Sequence, residues 1–189
     1  MKRRLAVVQK KSVGLRTLVA TRQVGGDSGT PCRGFLFAGP LMLPCALGRT
    51  GVAHLKREGD GKSPAGRFQI VEIRFRPDRI RRPKVHLGAR LLRQTDVWCD
   101  DPESRLYNRA GHSPCADRHE ELWRRDHVYD VIVILDHNQH PRVRGAGSAI
   151  FFHLLADEPG PTAGCVAISA AHMRRLLPRL ARNATLTIR

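Results

Sequence analysis

Aromatic residues are scarce in this sequence, at 5% of 189 residues. Few rings are therefore present on which the bases of a single-stranded nucleic acid could stack. The chain nevertheless carries 33 Lys and Arg against 17 Asp and Glu, a net charge of +16. Such a charge attracts polyanions, but no nucleic-acid motif and no basic stretch with interleaved aromatics accompanies it. We do not expect nucleic acid as the main partner; an arginine-rich proteome or an anionic envelope polymer explains the charge equally well.

Long apolar runs are also missing. No stretch approaches the roughly 18 apolar residues of a membrane-spanning helix, so we expect no membrane span. The basic start, Met1 to Arg4, is followed by the apolar run Leu5-Ala6-Val7-Val8. This run is shorter than the roughly 7–15 residues of a signal peptide's apolar region. An export signal is therefore not legible in the sequence.

Cysteine is too sparse for a disulfide scaffold, and the number of cysteines, five, is odd. At least one thiol therefore stays free or pairs outside the chain. The sequence has no repeat or low-complexity tract, and 41% of its residues are hydrophobic, as in a globular protein. The length suits one domain. We predict an N-terminal tail over residues 1–12 and a single domain over 13–189.

Strand patterns dominate the chain. Runs rich in β-branched and aromatic residues, or continuously apolar, predict strands. The clearest predicted strands are Phe68–Phe75, Val128–Leu135, Ala149–Leu155 and Thr185–Ile188, and the weaker ones are Val13–Ala20 and Phe35–Leu43. Helical signals are few: Ser169 is placed to cap a helix that ends near Pro178, and Glu120–Arg125 predicts another short helix. Long connections remain at 76–82 and 99–118, so we predict a mainly β domain with a few short helices and long loops.

One histidine and one cysteine stand out for their surroundings. His153 ends an apolar strand, and Cys165 follows the small-residue turn Thr162-Ala163-Gly164. A nearby imidazole raises the thiolate population that attacks a carbonyl carbon. Gly164 allows a sharp turn and exposes backbone N–H groups where an oxyanion would form. Spacing alone also fits a buried, inert cysteine and a satisfied core histidine, and favours that interpretation.

Four blocks in matching order resemble the YkuD-type L,D-transpeptidase catalytic domain. The pattern from His153 to Gly164-Cys165 is similar to the HG…S-x-G-C signature of that family. The other three blocks are the segment Gly59–Phe68, which resembles GDGxTPxGxF; Trp98–Pro102 with Tyr107-Asn108; and Tyr129-Asp130 with Gly147–Phe151. Together they cover nearly the whole chain, roughly Val13 to Ile188. All four in order are far more specific than the cysteine block alone.

The resemblance implies a β-sandwich-like catalytic domain that acts on the stem peptides of bacterial peptidoglycan. Such enzymes form 3→3 crosslinks through a cysteine acyl-enzyme, and they need no metal or organic cofactor. Carried over by position, Cys165 is the nucleophile and His153 the general base, while Gly164 and Cys165 supply oxyanion-hole N–H groups. The substrate-binding positions are Ser148, Thr162, Ala163 and Gly164. The family also implies a location in the cell envelope (periplasm).

The chain departs from the family pattern at three positions. Leu154 follows the histidine where Gly or Ser is common, Ala163 stands where His is frequent, and Ala167 where Arg or Asn is frequent. These departures concern donor and acceptor preference, whereas the nucleophile and base are kept. Two alternatives stay open: an L,D-carboxypeptidase that hydrolyses the same acyl-enzyme, and a degenerate, non-enzymatic domain that binds peptidoglycan or another polyanion.

Two other motifs give competing interpretations. Gly61-Lys62-Ser63 is similar to the end of a phosphate-binding P-loop, but Lys56 stands where that motif requires its first glycine. The adjacent carboxylates Asp100 and Asp101 resemble a pair for general acid–base catalysis. A shared catalytic role is not expected of these two residues, because adjacent residues of an extended segment point to opposite sides.

Zinc ligand types occur together at Cys99, His112, Cys115 and His119. Their spacing matches no standard zinc finger, and the surrounding Gly, Ser and Pro residues are typical of a loop. An ordinary solvent-facing loop is therefore the preferred interpretation. A Cys99–Cys115 disulfide in an oxidising compartment is a further possibility.

Overall fold

A computed structural model describes residues 14–23, 33–158 and 160–189 of the chain. Strands form where β-branched and aromatic side chains alternate or run together. The strands are β1 Leu15–Arg22, β2 Arg33–Ala38, β3 Leu41–Ala46, β4 Val52–Ala53, β5 Ser63–Pro64, β6 Gly66–Phe75, β7 Arg90–Leu91, β8 Asp96–Cys99, β9 Arg109–His112, β10 His119–Glu121, β11 Val131–Leu135, β12 Phe151–Leu154, β13 Val166–Ile168 and β14 Leu180–Ile188. The predicted mainly β class is confirmed.

The main sheet has nine strands and closes on itself. Its order is β11-β12-β13-β3-β2-β1-β14-β6-β7, and β11 also pairs with β6. Closure removes the free edges of the eight strands in the ring. At the join, β11 and β6 run antiparallel, with Val133 opposite Ile73. The ring encloses the main hydrophobic core, in which Leu36, Phe152 and Leu186 are fully buried.

A smaller sheet of three strands, in the order β10-β8-β9, covers one face of β11 and β12. Trp98 of β8 and the nearby Leu122 pack with Ile132 and Phe151 in a second buried cluster. The rings of Trp98 and Phe151 meet edge to face, with centroids 5.1 Å apart. This second cluster brings the predicted loop 99–118 against the strand that carries His153.

The C-terminal helix agrees with its sequence signals. Helix α1 spans Ala170–Leu176, and the backbone N–H of His172 donates to the hydroxyl of Ser169 at the N-cap. A 3₁₀ turn over Leu177–Arg179 follows, because Pro178 cannot donate the next α-helical hydrogen bond. No helix in the described ranges has the length and apolar character needed to cross a membrane.

Two local predictions were wrong. The single strand expected over Phe35–Leu43 is a hairpin, in which Gly39 takes a positive φ of 59° in the turn between β2 and β3. Glycine at the first position of a two-residue turn favours such a hairpin. The helix expected over Glu120–Arg125 is absent, since Glu120 lies in β10 and pairs with Trp98. The predicted tail over 1–12 and the residue Val13 lie outside the described residues.

Candidate active site

Strands β12 and β13 bring His153 and Cys165 to one face of the main sheet. The strands run parallel, with Phe152 opposite Val166 and His153 opposite Ala167. Cys165 therefore lies level with Phe151, and because side chains alternate along a strand, Cys165 and His153 share a face. Both side chains line a cavity of about 850 Å³. The structure thus assembles the predicted pair beside a space that can hold a peptide.

The turn before Cys165 is held by the hydroxyl of Thr162. This Oγ1 donates to the carbonyl of Cys165 at 2.6 Å and accepts from the N–H of Gly164 at 3.2 Å. Gly164 has a φ of +145°, and a Cβ at this position would lie 2.7 Å from the carbonyl oxygen of Lys62. Only glycine fits so close an approach. Gly164 N–H, which we predicted in the oxyanion hole, is engaged by Thr162 in this state.

The glycine-rich segment before β6 contacts the same turn and supports it. The buried hydroxyl of Ser63 donates to the carbonyl of Cys165 at 3.4 Å and accepts from the N–H of Gly48 at 2.9 Å. The carboxylate of Asp60 accepts from the N–H of Lys62 and pairs with the ammonium of Lys56 at 2.5 Å. This segment therefore positions the cysteine turn.

The block Trp98 with Tyr107-Asn108 supports the site from the other side. The side-chain oxygen of Asn108 accepts from Nε1 of Trp98 at 2.9 Å and from the N–H of Ala149 at 3.2 Å. Ala149 has a φ of 51°, which is rare for a residue with a Cβ. The carbonyl of Ala149 in turn accepts the thiol proton of Cys165 at 3.2 Å. A strained residue held by its surroundings is typical of functional sites.

The thiol of Cys165 is neutral in the resting structure. Burial raises its pKa to about 12, with a further increase from the negative charge of Glu120, while the N–H of Phe151 and the ammonium of Lys56 act to lower it. The Phe151 N–H donates to the sulfur at 3.3 Å. Burial therefore opposes formation of the thiolate that the sequence predicts, whereas the Phe151 N–H and the Lys56 ammonium favour it.

His153 is also neutral, because burial lowers its pKa to about 4. Its Nδ1 lies 2.8 Å from the carbonyl oxygen of Leu154. A carbonyl only accepts hydrogen bonds, so Nδ1 carries the ring proton and Nε2 keeps a free lone pair. The ring of Tyr129 meets the imidazole edge to face at 5.2 Å between centroids. The imidazole is thus fixed in the tautomer that a general base needs.

A half-buried carboxylate, Glu120, lies near this pair. The hydroxyl of Tyr129 donates to Oε1 of Glu120 at 2.5 Å. Burial is the main cause that raises the pKa of Glu120, and the Tyr129 hydrogen bond opposes it. Arg124 stands over the Tyr129 ring, 5.4 Å from its centroid. The result is a small polar cluster directly beside the catalytic candidates.

A second carboxylate, Glu58, faces the opposite part of the cavity. Its Oε2 accepts from the hydroxyls of Tyr107 at 2.5 Å and Ser148 at 2.7 Å. Ser148, which we predicted to bind substrate, lines the cavity. Its hydroxyl proton is donated to Glu58. Thr162, Ala163 and Gly164, the other positions for which we predicted substrate binding, also line the cavity.

The three residues that depart from the family pattern lie either in the main core or in the lining of the cavity. Leu154 is 3% exposed and packs in the main core, and its N–H donates to the carbonyl of Val128 at 3.1 Å. Ala163 and Ala167 line the cavity, so their small side chains leave open space where larger polar groups would stand. The departures therefore widen the cavity and leave the candidate pair in place.

The remaining sequence candidates do not assemble into sites. In the part of the chain that the structure describes, no three His, Cys, Asp or Glu side chains lie close enough to hold a metal ion. Cys99 and Cys115 are both free thiols, as are Cys45 and Cys165. Asp100 lines the cavity and pairs with Arg118 at 3.1 Å, so it contributes charge to the site without a carboxylate partner from Asp101.

Sequence reasoning missed most charged residues of the cavity, among them Lys56, Glu58, Glu120 and Arg124, and it did not identify Tyr129 as a neighbour of the histidine. Lys56 and Glu58 directly precede the Gly59–Phe68 block, which was a usable signal. Glu120 was assigned to a helix on its local pattern, and only its pairing with Trp98 turns it toward the cavity.

Comparison with known families agrees with this geometry. The family model of the L,D-transpeptidase catalytic domain, YkuD, matches residues 39–188. The match covers most of the chain, and the chain therefore belongs to the YkuD family of L,D-transpeptidase catalytic domains. The resemblance found in the sequence is confirmed, and the family indicates an L,D-transpeptidase-type enzyme. No curated protein and no solved structure matches the chain.

Proposed function

We propose that this protein is a peptidoglycan L,D-transpeptidase that forms 3→3 crosslinks, with Cys165 as nucleophile and His153 as general base. The observation that carries the proposal is the shared face of β12 and β13, where a thiol and an imidazole with a free Nε2 line one cavity. The family membership supplies the substrate class, and the geometry supports the residue roles. We place the enzyme in the cell envelope on the same grounds.

In the first half-reaction, Nε2 of His153 takes the proton of the Cys165 thiol while the sulfur attacks the carbonyl carbon that precedes the terminal D-alanine. A C–S bond forms, and the carbonyl becomes a tetrahedral oxyanion. Collapse of this intermediate breaks the C–N bond, and the imidazolium gives its proton to the departing amine of D-alanine. The neutral resting pair suits this order, because proton transfer accompanies attack and no thiolate has to form in advance.

The backbone N–H of Cys165 is the best candidate for binding the oxyanion. Within the described residues it makes no hydrogen bond, whereas the Gly164 N–H is held by Thr162 at 3.2 Å. An N–H at the nucleophile itself points at the developing charge. Gly164 joins the oxyanion hole if Thr162 rotates its hydroxyl away when substrate binds.

In the second half-reaction, an amine of another stem attacks the thioester carbonyl. Its proton passes to His153 as the C–N bond forms, and then to the sulfur as the C–S bond breaks. The cavity carries both signs of charge, including Arg49, Arg118, Arg124, Glu58 and Glu120. Stem peptides carry carboxylates and ammonium groups together, so a mixed lining matches them better than a surface of one sign.

Incubation of the protein with purified tetrapeptide muropeptides tests the proposal. We expect crosslinked dimers by mass spectrometry, none of which form with Cys165→Ala. Cys115→Ala, which removes a different thiol, should leave the product pattern unchanged. Tripeptides without dimers would instead show that water is the acceptor, and the protein would be an L,D-carboxypeptidase. Binding of muropeptides with no turnover would indicate a non-enzymatic domain.

A further inference from the structure

A second cavity lies on the far side of the segment that follows His153. It has a volume of about 1090 Å³ and is bounded by the loop from Arg79 to Lys84, by α1 and by residues 154–157. Leu154, Leu155 and Ala156 line both this cavity and the one that holds Cys165. Its size exceeds the roughly 300–1,000 Å³ of typical small-molecule pockets, so it can hold an extended ligand.

The floor of this second cavity is apolar. Val131, Leu154, Met173 and Leu177 contribute side chains that are at most 4% exposed, and Ile80 adds a partly buried one. These residues come from β11, from β12 and from α1 with the turn after it, so the floor belongs to the packed core. Beside them Leu155, Ala156 and Pro178 keep apolar surface exposed to the cavity, so hydrocarbon placed there would remove apolar surface from water.

The rim of the same cavity is cationic. Arg81, Arg82, Lys84 and Arg174 line it and are exposed. Across the described ranges, none of these four cations has a carboxylate within 4.0 Å. By contrast Arg79 is occupied, since its guanidinium pairs with Asp130 at 2.8 Å. The exposed carboxylate of Asp157 also lines this cavity, but the four cations outnumber it, so the rim has a net positive charge.

We propose that the second cavity binds an anionic lipid, with a hydrocarbon chain on the floor and a phosphate head on the rim. The cationic rim selects an anion, and the apolar floor favours a lipid over a purely ionic polymer. Exposed cations at a surface gain affinity for anionic lipids, and a buried chain adds to it. Four basic residues, Arg79, Arg81, Arg82 and Lys84, lie close together in the sequence, and the proposed chemistry at Cys165 makes no use of them.

Alkyl phosphates below their micelle concentrations test the site by isothermal titration. We expect octyl phosphate to bind one to one and up to about 250-fold more tightly than butyl phosphate, because each of its four additional CH₂ groups contributes about fourfold when buried. The triple variant Arg81→Gln, Lys84→Gln, Arg174→Gln should weaken octyl phosphate binding about tenfold or more. Equal affinity for inorganic polyphosphate and octyl phosphate would overturn the proposal in favour of a polyanion surface.

The matched control is Arg105→Gln, Arg144→Gln, Arg182→Gln, which removes the same charge at exposed positions away from both cavities. It should bind octyl phosphate with an affinity within about twofold of that of the unchanged protein. An equal loss of affinity in both triple variants would show a net-charge effect and overturn the site.

Binding to lipid vesicles tests whether the site accepts a membrane lipid. Phosphatidylglycerol vesicles should retain the protein and the control but not the rim variant, and phosphatidylcholine vesicles should retain none. Retention of the rim variant would exclude a role for this cavity in lipid binding.

Discussion

The two faces of β12 and β13 bury different kinds of side chain. One face is wholly apolar and packs inside the closed sheet; it consists of Phe152, Leu154, Val166 and Ile168. The other lies under the three-stranded sheet and carries the reactive groups; it consists of Phe151, His153, Cys165 and Ala167. The same short strands thus serve stability on one side and chemistry on the other. Substitutions on the two faces should therefore separate folding from activity.

The largest effect is expected on the reactive face. His153→Ala removes the base and should lower the rate of acyl-enzyme formation at least about 10³-fold. The rate is measured by mass spectrometry of the protein with a tetrapeptide donor and referred to the folded fraction. His86→Ala, at an exposed position, is the control. A His153→Ala rate near that of the unchanged protein would remove histidine from the proposed mechanism.

A substitution on the opposite, apolar face should lower the free energy of unfolding and leave the activity nearly unchanged. Phe152 is 0% exposed in the main core, so Phe152→Ala should lower the free energy of unfolding by about 3–5 kcal/mol. Urea denaturation followed by circular dichroism measures this change. The molecules that remain folded should still form the acyl-enzyme at a rate within a few-fold of the unchanged protein. A much slower rate would show that the two faces are coupled.

The free energy of unfolding should decrease at acid pH because the imidazole of His153 is buried. Burial lowers the pKa of His153 to about 4, whereas the unfolded chain titrates near about 6.5. Between these values the unfolded chain binds more protons, so stability falls as the pH drops, by about 3 kcal/mol in total. Urea unfolding from pH 7 to pH 4 measures the slope. It should flatten in His153→Gln and persist in His86→Gln; identical slopes in both would contradict the buried, neutral histidine.

The smallest effect concerns the charge beside the thiol. Glu120 raises the pKa of Cys165, so Glu120→Gln should increase the rate of iodoacetamide alkylation about threefold at pH 8.5. Cys165 is followed by peptide mass spectrometry. Glu121→Gln changes the neighbouring exposed carboxylate and should have no effect. If both variants behave alike, the charge of Glu120 does not reach the sulfur.

Apolar patterns predicted the strands that build this comparison. The run before His153 and the blocks around Cys165 were sufficient to bring the candidate pair to one domain. They did not reveal Glu120, because a charged residue near a short polar stretch looks the same on a helix as on a strand. The positive φ of Ala149 was equally hidden, since it has no local sequence signal and its N–H bonds to Asn108, 41 residues earlier in the chain.

The neutral state of the pair was also beyond sequence reasoning. The pKa of a thiol depends on how much water its surroundings exclude, and burial is a tertiary property. The same holds for the second cavity, whose basic residues were visible in the sequence while its apolar floor comes from strands and a helix far apart in the chain.

The contacts of Ser63 and Lys62 with the cysteine turn limit which segments of the chain can be moved into another protein. The hydroxyl that supports the carbonyl of Cys165 comes from 102 residues earlier in the chain. A segment carrying only the His153 to Cys165 motif, if recombined into another protein, would lack this support. The stretch from Lys62 to Cys165 is the smallest transfer that keeps the nucleophile with both Lys62 and Ser63.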